Sequence, residues 1–191
     1  MKFLVTGGAG FIGSHIVDRL IAGGHSVRVI DNFSTGLREN LSGCLDRIDL
    51  LEGDIRSIDS VISAVKGVDV IMHMAAVPSA DRSIIDPVMT TEVNINGTVN
   101  ILEAARYEKI KRVVLASSSA VYGNNPKLPK HEEMIPNPNT PYAVTKLAGE
   151  KFCQVYSELY GLETVILRFF NVFGPRQASD SIYSKVIARF V

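Results

Sequence analysis

Two spacings of apolar residues alternate along the chain. Six short runs, at 3–5, 27–30, 48–51, 68–73, 113–116 and 164–169, are apolar and rich in β-branched residues, with little polar alternation. Strands buried on both faces read in this way. Between them, segments 12–22, 57–65, 91–107 and 142–160 carry apolar residues at helical period. Strands alternating with helices specify a parallel sheet with crossover helices on both faces. Six strands permit the order 3-2-1-4-5-6, so the predicted fold is α/β, a doubly wound parallel sheet of Rossmann type. The longest irregular stretch, "GNNPKLPKHEEMIPNPNTP" at 123–141, is dense in proline and asparagine. Loops of that length in a compact domain commonly serve as lids or binding loops.

Composition narrows the function. At 191 residues and 46% hydrophobic, the chain suits one sizeable domain with a proper core. Twenty basic residues balance twenty acidic ones, which argues against a nucleic-acid or anionic-membrane surface. Cys44 and Cys153 lack metal-ligand spacing and read as buried thiols in a reducing compartment. No apolar run approaches the ~18–20 residues of a membrane span. The start, "MKFLVTGG", runs into glycines too soon for a signal peptide. The expected location is the cytoplasm.

Chemistry concentrates at the strand ends. "FLVTGGAGFIG" sets Gly7, Gly10 and Gly13 between the first strand and the first helix. Gly7 permits a tight turn, Gly10 lets a diphosphate approach the backbone, and Gly13 lets helix and strand pack closely. The helix N-terminus then offers free N–H groups to phosphate. Asp31 ends the second strand, where a carboxylate accepts from an adenosine ribose and repels the extra phosphate of NADP, so the predicted cofactor is NAD. Asp54, in "EGDIRS", fits either an adenine edge or the start of a helix. Ala75 and Ala76 are small enough to let a cofactor lie on the backbone, while His73 reads as a hydrogen-bonded core histidine.

"PYAVTKLAGE" carries the sharpest signal. Pro141 suits a first helical turn, and Tyr142 and Lys146 then share one helical face. A free tyrosine, with pKa ~10, is a poor base at neutral pH. A neighbouring ammonium favours its phenolate and fits it to take a proton from a sugar hydroxyl.

These segments, with "DNFSTG", "HMAA", "NINGTVNILEAAR", "SSSAVYG" and "LRFFNVFGPRQ", lie in order over nearly the whole chain. Together they resemble the extended short-chain dehydrogenase/reductases, specifically the NAD-dependent nucleotide-sugar epimerase/dehydratase family. The resemblance implies that Gly7, Gly10, Phe11 and Ile12 hold the pyrophosphate. It assigns Asp31, Asn32, Ser34, Thr35 and Gly36 to the adenosine ribose, and Asp54 and Ile55 to the adenine. Met74, Ala75, Ala76 and Asn94 line the middle of the cofactor site, with Phe170 near the nicotinamide. Tyr142 and Lys146 match the catalytic pair and also touch cofactor, whereas Ser79 and Asn171 match positions facing the nucleotide sugar. Ser118, three residues before the valine of "VYG", matches the catalytic hydroxyl, which also contacts the sugar. Ser117 and Ser119 are left to tie down the strand end.

The same resemblance bears on the reaction. Dehydratases and decarboxylases of the family usually place a carboxylate one or two residues beyond the catalytic hydroxyl. Here those positions are Ser119 and Ala120. A 4-epimerase needs no such group, and "GNNPKLPKHE" and "FFNVFGPRQ" resemble UDP-hexose 4-epimerases, including those accepting N-acetylated sugars. The expected activity is NAD-dependent 4-epimerisation of a UDP-sugar. The alternatives are a dehydratase or decarboxylase of the same family, or a non-catalytic NAD-binding protein. A homodimer through a four-helix bundle of segments 91–107 and 142–160 is implied as well. Residues 1–175 are expected to form the NAD-binding domain and 176–191 to begin a truncated sugar-nucleotide lobe. Ile182, Val186, Ile187 and Phe190 form an apolar helical stripe within that second segment.

Overall fold

The computed structural model of the chain describes residues 1–177, so the stripe from Ile182 to Phe190 lies outside the described residues. Six strands, β1 (Lys2–Thr6), β2 (Ser26–Asp31), β3 (Ile48–Glu52), β4 (Val70–His73), β5 (Arg112–Ser118) and β6 (Glu163–Phe169), form one sheet. Their order is β3-β2-β1-β4-β5-β6, with every neighbouring pair parallel. This is the doubly wound α/β arrangement.

The helices are α1 (Phe11–Ala22), α2 (Ile58–Val65), α3 (Ala80–Ile85), α4 (Pro87–Thr91), α5 (Gly97–Tyr107) and α6 (Pro141–Tyr160). Segment 91–107 departs from the expected single helix. Its first turns belong to a π-helical stretch, Glu92–Asn96, before the α-helix resumes at Gly97. Apolar period alone does not distinguish i→i+4 from i→i+5 bonding over one turn, and such widenings gather at functional sites. Among the described residues, no helix is long and apolar enough to cross a membrane.

Strand periodicity divides the core in two. Leu4, Ile30, Ile71 and Leu115 face one side of the sheet and pack with Val61, Ile101, Leu102 and Cys153 from α2, α5 and α6. Val5, Val27 and Val29 face the other and pack with Val17 of α1, Leu41 and Cys44. Both cysteines are buried and free, as read from the sequence. Burial pushes the Cys153 thiol up to about 12, which makes it unreactive at neutral pH. The loop at 123–141 is anchored at the end of β5: Asn137 N–H donates to Val121 O, and Met134 is buried with Val121 and Tyr122.

This topology brings the ends of all six strands to one edge. The crevice opens between β1 and β4, where the strand order reverses, and ligands of open α/β sheets bind at such switch points.

Candidate active site

The glycine turn closes against β4. Gly7, at φ +66°, donates its N–H to Ile30 O, and a Cβ there would stand 2.8 Å from the Ala75 backbone. A Cβ on Gly13 would lie 2.1 Å from Gly7 O, so only glycine lets α1 start this close to the turn. Helix α1 begins after Gly10 without a side-chain cap, which leaves the first-turn N–H groups around Phe11 and Ile12 for an anion.

Asp31 sits beside this turn. It is buried, and its carboxylate accepts from Ala9 N–H and Phe33 N–H, both at 2.9 Å. Desolvation raises its pKa, and the two amide donors partly oppose that shift. Two donors leave a carboxylate further acceptor sites. The loop carrying Ser34, Thr35 and Gly36 folds over it, for a Cβ on Gly36 would approach Asp31 Oδ1 to 3.0 Å. Asn32 points away toward Asp54, donating to Oδ2 at 2.9 Å.

Asp54 does not start α2; that cap is Ser57, which accepts from Ser60 N–H. The Asp54 carboxylate takes Arg56 N–H at 2.8 Å, two guanidinium N–H groups and the Asn32 amide. The Arg56 bond is the main reason its pKa falls to about 2. Ile55 beside it is buried.

At the end of β4, Met74 packs into the α1-side core, and Ala75 donates its N–H to Thr6 Oγ1 at 3.1 Å. Asn94, in the π-helical stretch, stands behind the turn that follows Ala76. Its Oδ1 accepts from Val77 N–H at 2.8 Å, and its Nδ2 donates to Val77 O and to Thr145 Oγ1. His73 is buried between Thr6 and Thr98, as a core histidine should be.

The catalytic candidates come from β5 and α6. Thr140 caps α6 by accepting from Ala143 N–H, with Pro141 in the first turn. Tyr142 donates its backbone N–H to Ser83 Oγ in α3, the helix that Ser79 caps. The buried Lys146 donates to Ala116 O on β5 at 2.9 Å, and its ammonium lies 5.8 Å from the centre of the Tyr142 ring. Burial lowers the Lys146 pKa to about 8. Ser118 accepts from Ala120 N–H at 3.1 Å, so its own proton is left for an acceptor in the cleft. Ser117 has the structural part: it donates to Glu150, which also receives Arg168 Nε and Nη2 from β6. Phe170 and Asn171 follow β6 as exposed residues, and the Phe170 ring lies 6.3 Å from that of Tyr122.

Several groups of this site escape motif reading: Thr6, Ser83, Thr98, Thr145, Glu150 and Arg168. Only Thr145 left a signal, since a threonine three residues along a helix from Tyr142 is placed to bond back to its carbonyl, as it does at 2.8 Å. An apolar cavity of about 440 Å³ lies between α1 and Phe169–Pro175; Phe11 and Ile12 at the start of α1 line it, but none of Ser118, Tyr142 or Lys146 does. Among the described residues, no group of three His, Cys, Asp or Glu side chains is gathered as for a metal.

Comparison with known proteins bears on this geometry. The NAD dependent epimerase/dehydratase family matches the chain over residues 3–191. A putative UDP-glucose 4-epimerase of Methanocaldococcus jannaschii is 44% identical over 91% of this chain and 57% of its own. The crystal structure of the Thermus thermophilus UDP-glucose 4-epimerase in complex with NAD superposes with TM-score 0.90 at 42% identity, covering 96% of this chain and 59% of that one. A UDP-N-acetyl-alpha-D-glucosaminuronate decarboxylase of Bacillus cytotoxicus is 36% identical, over all of this chain and 60% of its own. The chain thus spans less than two thirds of the length of the relatives it matches.

Proposed function

Because the chain belongs to the NAD dependent epimerase/dehydratase family, we propose that it binds NAD in the β1–β4 crevice and serves 4-epimerisation of a UDP-hexose. The residues present fit that cofactor. The uncapped start of α1 suits its diphosphate, and the spare acceptor sites of Asp31 suit a ribose diol. When bound there, NAD would supply the hydride acceptor and donor for the sugar carbon.

The chain's own groups handle the proton and the geometry. Tyr142 accepts the proton of the sugar hydroxyl, and the Lys146 ammonium stabilises negative charge on the phenolic oxygen. Ser118 donates to the same sugar oxygen, from a strand end held by Ser117, Glu150 and Arg168. Ser79 and Asn171 face the sugar, and Phe170 borders the nicotinamide. Asp54 reaches the adenine amine by exchanging it for the Asn32 donor. A second copy completes the assembly through α5 and α6.

The observation that favours epimerisation is the pair after Ser118. Ser119 and Ala120, neither of them titratable in the useful range, open a short helical turn, where dehydratases and decarboxylases resembling this chain usually carry a carboxylate. Similarity to the decarboxylase keeps a second reading, in which the product is a decarboxylated or dehydrated sugar. Incubation with UDP-galactose and with UDP-glucuronic acid, followed by product identification, separates the two. UDP-glucose from the first supports epimerisation; carbon dioxide from the second supports the alternative. Tyr142→Phe should keep NAD binding and lower turnover by about 10²–10⁴-fold, the usual contribution of a general base. Turnover near that of the parent chain would remove Tyr142 from this role.

A further inference from the structure

Thr6 from β1, His73 from β4 and Thr98 from α5 are all buried, and their partners leave one arrangement of protons. Thr98 Oγ1 donates to Asn94 O at 2.6 Å. A hydroxyl has one proton, so toward His73 Nε2, 3.0 Å away, Thr98 can only accept. Nε2 therefore carries the ring proton. In the neutral ring Nδ1 is then an acceptor, and Thr6 Oγ1 donates to it at 2.7 Å while accepting from Ala75 N–H. Burial first, and the Lys146 charge second, press the ring toward its neutral form, down to about 3.

Both ends of this chain of bonds reach the candidate site. One end is the Ala75 amide, against which Gly7 closes. The other is the Asn94 carbonyl. The Asn94 side chain holds Val77 at both backbone groups and meets Thr145, which bonds Tyr142 O.

We propose that His73 is a positioning residue whose single neutral tautomer, with the proton on Nε2, keeps the Ala75–Val77 turn in register with the helix bearing Tyr142 and Lys146. The proposal rests on the reading of those elements as the NAD and catalytic site. Thr98 bonds back to the carbonyl of Asn94, four residues earlier, so the link from His73 ends on the backbone of the residue whose side chain holds Val77. Replacing the ring with an apolar one leaves the Thr6 and Thr98 hydroxyls each short of a buried partner. The Ala75 amide then loses the fixed hydroxyl that receives it. Glutamine, with a carbonyl to accept from Thr6 and an NH₂ to donate to Thr98, restores both links.

Two measurements on the full chain test this. Nitrogen-15 NMR of the histidine rings, with His73 identified by its absence in His73→Gln, should show the Nε2–H tautomer. That ring should not titrate between about pH 5 and 8, where free histidine does. Calorimetric titration with NAD should show His73→Phe binding about tenfold weaker and His73→Gln within about threefold of the parent, the size of one net hydrogen bond. If His73→Phe does not fold, Thr98→Val serves: it removes both the acceptor of the Nε2 proton and the donor to Asn94 O, and should weaken NAD binding to a similar degree. An Nδ1–H tautomer in the parent, a titrating ring, or NAD binding undiminished in His73→Phe (or in Thr98→Val where that variant does not fold) overturns the inference. Failure of the parent to bind NAD, with the tautomer as stated, overturns the reading of the site instead, and the coupling to function falls with it.

Discussion

Lys146 is a cation placed in the interior for reasons other than stability. Burial lowers its pKa from 10.5 to about 8, and among the described residues it donates to Ala116 O at 2.9 Å. A lowering of that size corresponds to about 3 kcal/mol of penalty on the charged form. Below pH 8 both folded and unfolded chains carry the charge, so the penalty is present in full. Between pH 8 and 10.5 the folded chain gives up the proton first, and stability recovers as pH rises. Lys146→Met should therefore raise folding stability near pH 7 by about 2 kcal/mol, allowing about 1 for the lost hydrogen bond. Denaturant titrations across this range should show the gain shrinking as pH passes from 8 to 10.5. A gain independent of pH would mean that the buried group is not charged. Asp31 makes a second residue-scale prediction. A ribose phosphate would be driven against its buried carboxylate, so NAD should bind at least about tenfold more tightly than NADP. Asp31→Ala should narrow that gap; equal affinities in the parent chain would refute the assignment.

Helices α1 and α6 place glycine for opposite reasons. At Gly13 a Cβ would meet two pieces of backbone, Gly7 O at 2.1 Å and Gly8 Cα at 2.8 Å, neither of which can swing aside. Gly13→Ala should cost about 3 kcal/mol or more, since the start of α1 must leave the turn. At Gly149 the nearest atom to a Cβ is a Leu115 methyl at 3.4 Å, which is ordinary contact. The helix interior then gains propensity, and Gly149→Ala should stabilise by up to about 1 kcal/mol. Thermal or urea unfolding of the two variants decides the matter, and equal effects would be contrary to this packing. The comparison also explains why a glycine count says little: the backbone beside each position sets the cost.

Across the whole molecule, one face of α6 stands out. Val144 is 50% exposed, Val155 43% and Leu159 68%, and their spacing puts them on one side of the helix, with Lys151 among them. Isolated exposed apolar residues are common, but a helical row of them fits a partner helix. With a second copy supplying that helix, sedimentation equilibrium should return twice the chain mass. Leu159→Lys together with Val155→Lys should shift it to the monomer, leaving the far-UV circular dichroism unchanged. A parent chain at monomer mass would remove the dimer.

Period and local chemistry were enough for the alternation of strands and helices, the glycine turn and the Tyr142–Lys146 face, because strand alternation, helical repeat and turn-forming residues act over a few positions; they permitted the strand order, which the packed sheet alone fixes. The core role of His73 was legible too, since it ends an apolar run. The bonds that hold the site together were not. Glu150 meets Ser117 and Arg168 across 33 and 18 residues, and His73 meets Thr6 and Thr98 across 67 and 25. A threonine or glutamate carries no mark of such a distant partner. The widening at Glu92–Asn96 was hidden for the same reason, as its apolar spacing matches an ordinary helix. Folding settles these features because a buried polar group must find a donor or acceptor wherever the packed strands and helices bring one, and leaving it unpaired costs more than the local preference of any one turn.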